Sequence, residues 1–230
     1  MADQNRFLEA LSGDSLGQLR PHLRPVTLNN GDRLYGPSDP SPWLYFPLHP
    51  TLVSLVATTD DGGSVEVALT GREGLLGVWT LFDTPQPNHE AIVQNAGGAM
   101  RAPVQAIRAI VEKNAEFRNL AMRYSHLLFT QVIQTALCNR LHTAEERMAR
   151  WLLVSQDRVE ADELHMTHEL LGKMLGTRRS TVSLTASMFQ RANIISYKRG
   201  RMKIVDREAL IGLSCDCYEV VRKAGEKLYR

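Results

Sequence analysis

The sequence predicts an α+β chain in three parts: an antiparallel β-roll, one long helix, and a small helical unit closed by a basic hairpin. Three observations carry this. Short β-rich pieces separated by turn signals run from Pro21 to Arg101. A stretch free of Gly and Pro runs from Glu116 to Leu141. Thr167 to Arg191 reads as two short helices about a glycine turn.

Asn5 to Leu19 reads as a short amphipathic helix, with Phe7, Leu8, Leu11, Leu16 and Leu19 as its apolar positions. Strands are expected at Trp43–Pro47, Leu52–Thr58 and Ser64–Leu69. The turn signals are Asn29-Asn30-Gly31-Asp32, Pro37-Ser38-Asp39-Pro40 and Asp60-Asp61-Gly62-Gly63. The last of these joins two strands as a hairpin. Many short strands at this spacing mean a small antiparallel barrel or roll. Val104 to Val111 then reads as a short helix. In the long helix Phe117, Leu120, Tyr124 and Leu127 step by threes and fours, and Leu128, Val132, Ile133 and Leu137 continue the apolar side. Such a helix can pair with a copy of itself; packing against its own roll would use the same residues. Dimerisation is the expected use, through Phe117, Leu120, Tyr124, Leu127 and Leu128. Thr143-Ala144-Glu145-Glu146 is a capping box that opens a helix through Met148, Trp151, Leu152 and Leu153.

The back unit is the most specific part. Leu170, Leu171, Met174 and Leu175 give one helix an apolar face. Gly176 follows where the chain needs a left-handed residue, and Thr177 offers a hydroxyl to cap the next helix. Gly172 is small where crossing helices would press together, and Val182, Ala186 and Phe189 supply the second helix's buried side. This pattern fits a helix-turn-helix, whose second helix enters a DNA major groove. Ile194–Tyr197 and Met202–Val205 flank Lys198-Arg199-Gly200-Arg201, a hairpin with a basic tip, and Asp206 caps a closing helix of about Arg207 to Leu228. From Leu170 to Val205 there are eight Lys and Arg and no Asp or Glu. A merely solvated face mixes signs, whereas a phosphate backbone demands one sign. The expected divisions are a roll sensor over 1–112, a dimerisation helix over 113–141, a winged reader over 142–208 and a C-terminal helix over 209–230.

Residues 1–140 carry 11 Lys and Arg against 13 Asp and Glu; residues 141–230 carry 16 against 12. A nearly neutral front and a basic back suit a sensor joined to a nucleic-acid reader. No apolar run approaches the ~20 residues that span a bilayer. The start, MADQNRFLEALSG, lacks a signal peptide's basic and apolar runs. Cys138, Cys215 and Cys217 form no disulfide framework, which suits a reducing cytoplasm. On one helix, Cys215 and Cys217 would point to nearly opposite sides and could not share an ion; redox sensing by one of them is the alternative to simple burial. His165-Met166-Thr167-His168 has no further ligand nearby in sequence, so no metal site is expected. No His-x-His, nucleophile elbow or phosphate-cradling Gly loop occurs, so an enzyme is not expected.

In this order, the elements resemble the Crp/Fnr family of bacterial transcription regulators, strongly from Thr143 to Asp206 and by order of elements over the roll. The resemblance implies a cyclic-nucleotide-binding-like roll, a long dimer helix and a winged helix-turn-helix acting on double-stranded, palindromic DNA as a homodimer, with RNA polymerase as a further candidate partner. The family's cyclic-nucleotide site carries a Gly-Glu pair and an Arg-Ser pair. Here Gly77-Val78 and His89-Glu90 stand in those places, with Leu81-Phe82 fitting the apolar turn. Val78 cannot accept a ribose hydroxyl, and Glu90 would repel a phosphate, so cyclic AMP is not expected to bind in the usual way. Gly77, Val78, His89 and Glu90 mark the candidate region for an effector not identified by sequence. Iron–sulfur members carry N-terminal cysteines; no cysteine here precedes Cys138, so that cluster is not expected. His49 and His89 are only generic candidates for a haem ligand, and haem is not expected. In the family's recognition-helix pattern Arg179 fills the first arginine's place, suited to guanine O6 and N7, while Ser180 and Leu184 replace the others. Arg178, Ser180 and Ser183 are further candidate contacts to bases or phosphates. Thr167, Thr177, Lys198, Arg199, Arg201 and Lys203 are expected on phosphates. A second reading is a small-molecule-binding signalling protein whose winged unit contacts other proteins.

Overall fold

Capping side chains set how the chain begins. Asn5 accepts from the Leu8 amide and starts α1 (Arg6–Glu9); Ser12 accepts from the Ser15 amide and starts α2 (Gly13–Leu19). The single helix expected over Asn5–Leu19 is therefore two, because the Ser12 hydroxyl takes a backbone donor that a continuous helix would use. Asn5 also donates to the Pro47 and Gly74 carbonyls, at 2.8 and 2.9 Å, and so fastens this start to the roll. The computed structural model describes residues 5–37, 39, 41–82 and 87–229; of Phe82 it describes the backbone alone. Ser38 and Pro40 of the second turn signal, and the Phe82 side chain, lie outside the described residues.

The roll is two antiparallel sheets. Its strands are β1 (Arg24–Leu28), β2 (Arg33–Tyr35), β3 (Trp43–Pro47), β4 (Leu52–Thr58), β5 (Ser64–Thr70), β6 (Glu90–Asn95) and β7 (Gly97–Pro103). One sheet runs β1-β7-β3 and the other β2-β6-β4-β5. The expected β4–β5 hairpin forms, with Gly62 at φ +86° in its turn. A 3-10 turn over Val78–Phe82 leads back towards the second sheet.

Next come α3 (Val104–Lys113) and α4 (Ala115–Leu141), the latter capped by Asn114. Phe117, Leu120, Tyr124 and Leu127 are buried in the core that the roll shares with α1 and α3, and Leu128 is packed against it. Four of the five residues expected at a dimer interface are thus spent inside one protomer, and Leu128 is half-buried at the edge of that core. The apolar surface they cover belongs to the roll's strands and to the helices at the chain's start and before α4. The opposite side of α4 carries a different stripe, Phe129, Val132, Ile133, Leu137 and Leu141, all exposed; Phe129 is 61% and Leu141 67% accessible.

Tyr124 also explains a glycine. A Cβ at Gly74 would land inside the Tyr124 ring, whose hydroxyl bonds Thr70 Oγ1 at 3.0 Å. Gly74→Ala should therefore lower stability by about 1–3 kcal/mol, since a well-packed core does not absorb an added methyl. Thermal denaturation checks this; an unchanged midpoint would show that the ring moves aside freely.

The Thr143–Glu146 capping box forms at the start of α5 (Ala144–Val159). After it come β8 (Glu163–His165), α6 (His168–Met174), α7 (Arg179–Arg191), β9 (Ile195–Lys198) and β10 (Arg201–Ile204). These make a helical unit with a three-stranded sheet in the order β8-β10-β9. The unit is not separate from the roll. Leu52, Val56 and Leu69 of the roll join Trp151, Leu152, Leu171 and Phe189 in one core. Trp151 Nε1 donates to the buried Glu66 carboxylate at 2.9 Å, and Arg158 Nε donates to Glu73 at 2.7 Å.

The expected closing helix is also two: α8 (Arg207–Leu213), capped by Asp206, and α9 (Cys217–Leu228). Ser214 turns extended at φ −82°, ψ 156° and ends α8. Cys215 therefore lies off the helix, and the opposite-sides argument against a shared ion does not hold. Cys138 Sγ and Cys215 Sγ are 3.5 Å apart, Cys217 Sγ and His142 Nδ1 are 3.6 Å apart, and the ligand atoms of all four residues lie within 4.8 Å of one another.

Candidate nucleic-acid interface

Thr167 Oγ1 accepts from the Leu170 amide at 3.1 Å and starts α6. Leu171, Met174 and Leu175 bury its inner side. Gly176, at φ +57°, takes the chain out of the helix, a conformation costly for a residue with a Cβ. Gly172 permits the crossing: a Cβ there would stand 3.0 Å from the Thr177 carbonyl oxygen. Thr177 does not cap α7. Arg178 holds the cap position in extended geometry with no side-chain cap bond, and the Thr177 amide instead donates to the Gly172 carbonyl at 2.9 Å. The turn is one residue longer than the sequence suggests, which places the hydroxyl too early to cap.

Val182, Ala186 and Phe189 seat α7 against α5 and α6, leaving Arg178, Arg179 and Ser180 exposed at its start and Leu184 exposed one turn on. Ser183 differs from expectation. It is half-buried and bonds His168 Nδ1 at 2.9 Å. His168 stacks on Tyr197 with ring centroids 4.2 Å apart. Burial first, and the Arg179 charge second, hold the His168 pKa below its usual value. This His168–Ser183–Tyr197 brace ties the first helix, the second helix and the basic hairpin together. Its only trace in the sequence is the histidine four residues after Leu164, which no spacing rule connects to Ser183.

Lys198, Arg199, Arg201 and Lys203 are exposed on the hairpin, while Met202 and Ile204 of β10 point inward. Arg199 and Gly200, both at positive φ, form its two-residue tip. Arg201 lies 3.4 Å from Glu163 on β8, so that cation is already partly balanced. Beside the start of α7 lies the roll's β4–β5 hairpin. Gly62 and Ser64 share a shallow depression with Arg178 and Arg179, and a Cβ at Gly176 would stand 3.2 Å from Val65.

The candidate effector region is assembled too. Val78 is buried, Gly77 sits at φ +90°, and His89 packs edge-on against Trp79 and Tyr35. Burial lowers the His89 pKa to about 4, so its ring is neutral at ordinary pH. Glu90 is turned to Arg33 at 3.0 Å. Val67, Val78, Trp79 and His89, with Leu128 and Phe129 of α4, line a mostly apolar hollow of about 390 Å³.

Residues 146–213 match the family model described as a Crp-like helix-turn-helix domain. The reader is thus of the Crp-like helix-turn-helix kind. The chain as a whole shares its fold with FixK2 from Bradyrhizobium japonicum, at TM-score 0.72 and 17% identity, covering 84% of this chain and 98% of that one. A transcriptional regulator of the CRP/FNR family from Thermus thermophilus aligns at TM-score 0.54 and 22% identity, covering 83% and 98%. The Global nitrogen regulator of Synechocystis is 22% identical over 208 residues, 84% of this chain and 91% of that protein. The Crp/Fnr-type architecture thus accounts for the roll, the long helix and the basic reader in their order along the chain. No helix among the described residues is long and apolar enough to cross a membrane.

Proposed function

We propose that this chain is a homodimeric, sequence-specific regulator that binds a palindromic duplex site and does not take cyclic AMP in the usual way. The observation that carries the reading is the exposed set of cations formed by Arg178 and Arg179 on α7 and by Lys198, Arg199 and Lys203 on the hairpin, within a stretch free of Asp and Glu. Its shape suits a major groove for the helix and flanking phosphates for the hairpin. Two copies would set their α7 helices in successive grooves about 34 Å apart. The exposed α4 stripe from Phe129 to Leu141 is the face offered to the second copy.

The roll hollow supports an effector of apolar character. No Arg or Lys is among its described lining residues, so a cyclic phosphate would find no cation among them. Phe129 and Val132 belong both to the hollow and to the exposed stripe, so a ligand seated there would touch the surface meant for the partner helix. A cytoplasmic location fits this reading, as does a role in transcription without catalysis.

Selection from random duplexes, with and without a metabolite extract, tests the proposal; enrichment of a two-fold symmetric sequence is expected. On that sequence Arg179→Ala should cost roughly 1–3 kcal/mol and relax one base position, whereas Lys203→Ala should weaken all duplexes alike. Recovery of no preferred sequence would defeat the reading, and would favour protein partners for the winged unit.

A further inference from the structure

We propose that Cys138, His142, Cys215 and Cys217 hold one tetrahedral divalent ion of the zinc class. Cys138 and His142 lie four residues apart, one on the last turns of α4 and the other at its C-terminal cap, and so share one side of the helix end. Cys215 and Cys217 come from the break between α8 and α9, where Ser214 has left helical geometry. The four come from segments more than seventy residues apart, yet their ligand atoms all fall within 4.8 Å of one another.

The spacing matches one ion. Zinc holds thiolate sulfur at about 2.3 Å and imidazole nitrogen at about 2.0–2.1 Å, so a tetrahedral site has ligand-to-ligand edges of about 3.5–3.8 Å. The Cys138–Cys215 and Cys217–His142 separations are 3.5 and 3.6 Å. A disulfide would account for two of the groups and leave the third thiol and the imidazole unexplained. A multi-iron cluster spreads its ligands over several metal atoms, further apart than is seen here. The three sulfurs are buried and form a cluster of their own, apart from the aliphatic and aromatic cores. Three thiolates and a neutral imidazole around a divalent ion leave one negative charge. The buried Arg150 guanidinium acts on both Cys138 and Cys217 and offsets it.

Such an ion would pin the C-terminal segment to the joint between α4 and α5, where the long helix hands over to the reader. Its role is structural, because all four positions are filled by protein and none is left open for a reacting water. Binding would release thiol protons and stabilise the folded chain.

The test uses the full chain purified under reducing conditions. Elemental analysis should find about one zinc per chain. After chelator treatment, one equivalent of cobalt(II) should give the intense visible bands of a tetrahedral thiolate site, and one equivalent of zinc should erase them. Chelation should lower the melting temperature by several degrees, with zinc restoring it. His142→Ala should weaken cobalt binding at least tenfold while leaving thiolate bands at high metal, and Cys217→Ser should reduce the charge-transfer intensity. A reduced wild-type chain that takes up neither cobalt nor zinc at one equivalent would overturn the proposal. So would an iron-containing chromophore, or cobalt bands unchanged in both variants. The titration of the unaltered chain needs no variant to fold, and it is independent of whether the chain binds DNA.

Discussion

Replacing Phe129 and Ile133 together with aspartate should leave a folded monomer whose affinity for a palindromic duplex falls by roughly 100-fold or more, the gain that a second linked reader supplies. Both side chains are exposed in the single protomer, so charges there cost the monomer little. In a pair of α4 helices the same charges would be desolvated against apolar neighbours, which is expensive without partners. The buried positions of α4 lie on the other side: Phe117, Leu120, Tyr124 and Leu127 face the roll core. Leu120→Ala therefore serves as a contrast. It should lower the melting temperature by way of a cavity and leave the oligomeric state of the folded fraction unchanged. Sedimentation, a melt and a gel shift on each variant separate the two outcomes. If the aspartate pair sediments as a dimer, the exposed stripe is not the interface.

That contrast also shows what the sequence could and could not convey. The 3.6-residue rhythm of α4 is legible on both sides, because Phe117-Leu120-Tyr124-Leu127 and Phe129-Ile133-Leu137-Leu141 are both apolar series. Periodicity says that a side is buried, but not whether the roll or a partner buries it. The helix-turn-helix was readable because its signals are local: a left-handed glycine at 176 and a crossing glycine at 172, though not the cap expected at Thr177. β7 was not readable as a strand. Gly97-Gly98-Ala99-Met100 has little β propensity, yet β7 is the central strand between β1 and β3 because small residues let neighbouring segments close in. The Cys and His constellation was hidden for a related reason. Only the break at Ser214 and the packing of α9 beside α4 bring Cys215 and Cys217 to Cys138 and His142, and neither has a signature in residue spacing.

The roll and the reader are joined through a buried acid, and this gives the chain a pH-dependent stability with a defined sign. Glu66 on β5 receives Trp151 Nε1 from α5 and the Ser54 hydroxyl, and it is almost wholly buried. Burial raises its pKa to about 7; the Ser54 bond, the Trp151 bond and the charges of Arg150 and Arg158 act in the opposite direction without cancelling it. The folded chain therefore holds this proton more tightly than the unfolded chain. The stabilisation is full below the ordinary glutamate range, declines as pH rises from about 4.5 to about 7, and is gone above that. The whole span corresponds to about 3 kcal/mol. Glu66→Gln mimics the neutral acid and should remove the dependence. The variant should be more stable than the parent at pH 8, with the difference shrinking steadily towards pH 5. Denaturant unfolding of both chains at several pH values, read as the difference between them, cancels the other titrating groups. A difference that stays level between pH 5 and pH 8 would mean that Glu66 ionises as an ordinary carboxylate, and that the contact between α5 and the roll carries no proton-linked strain.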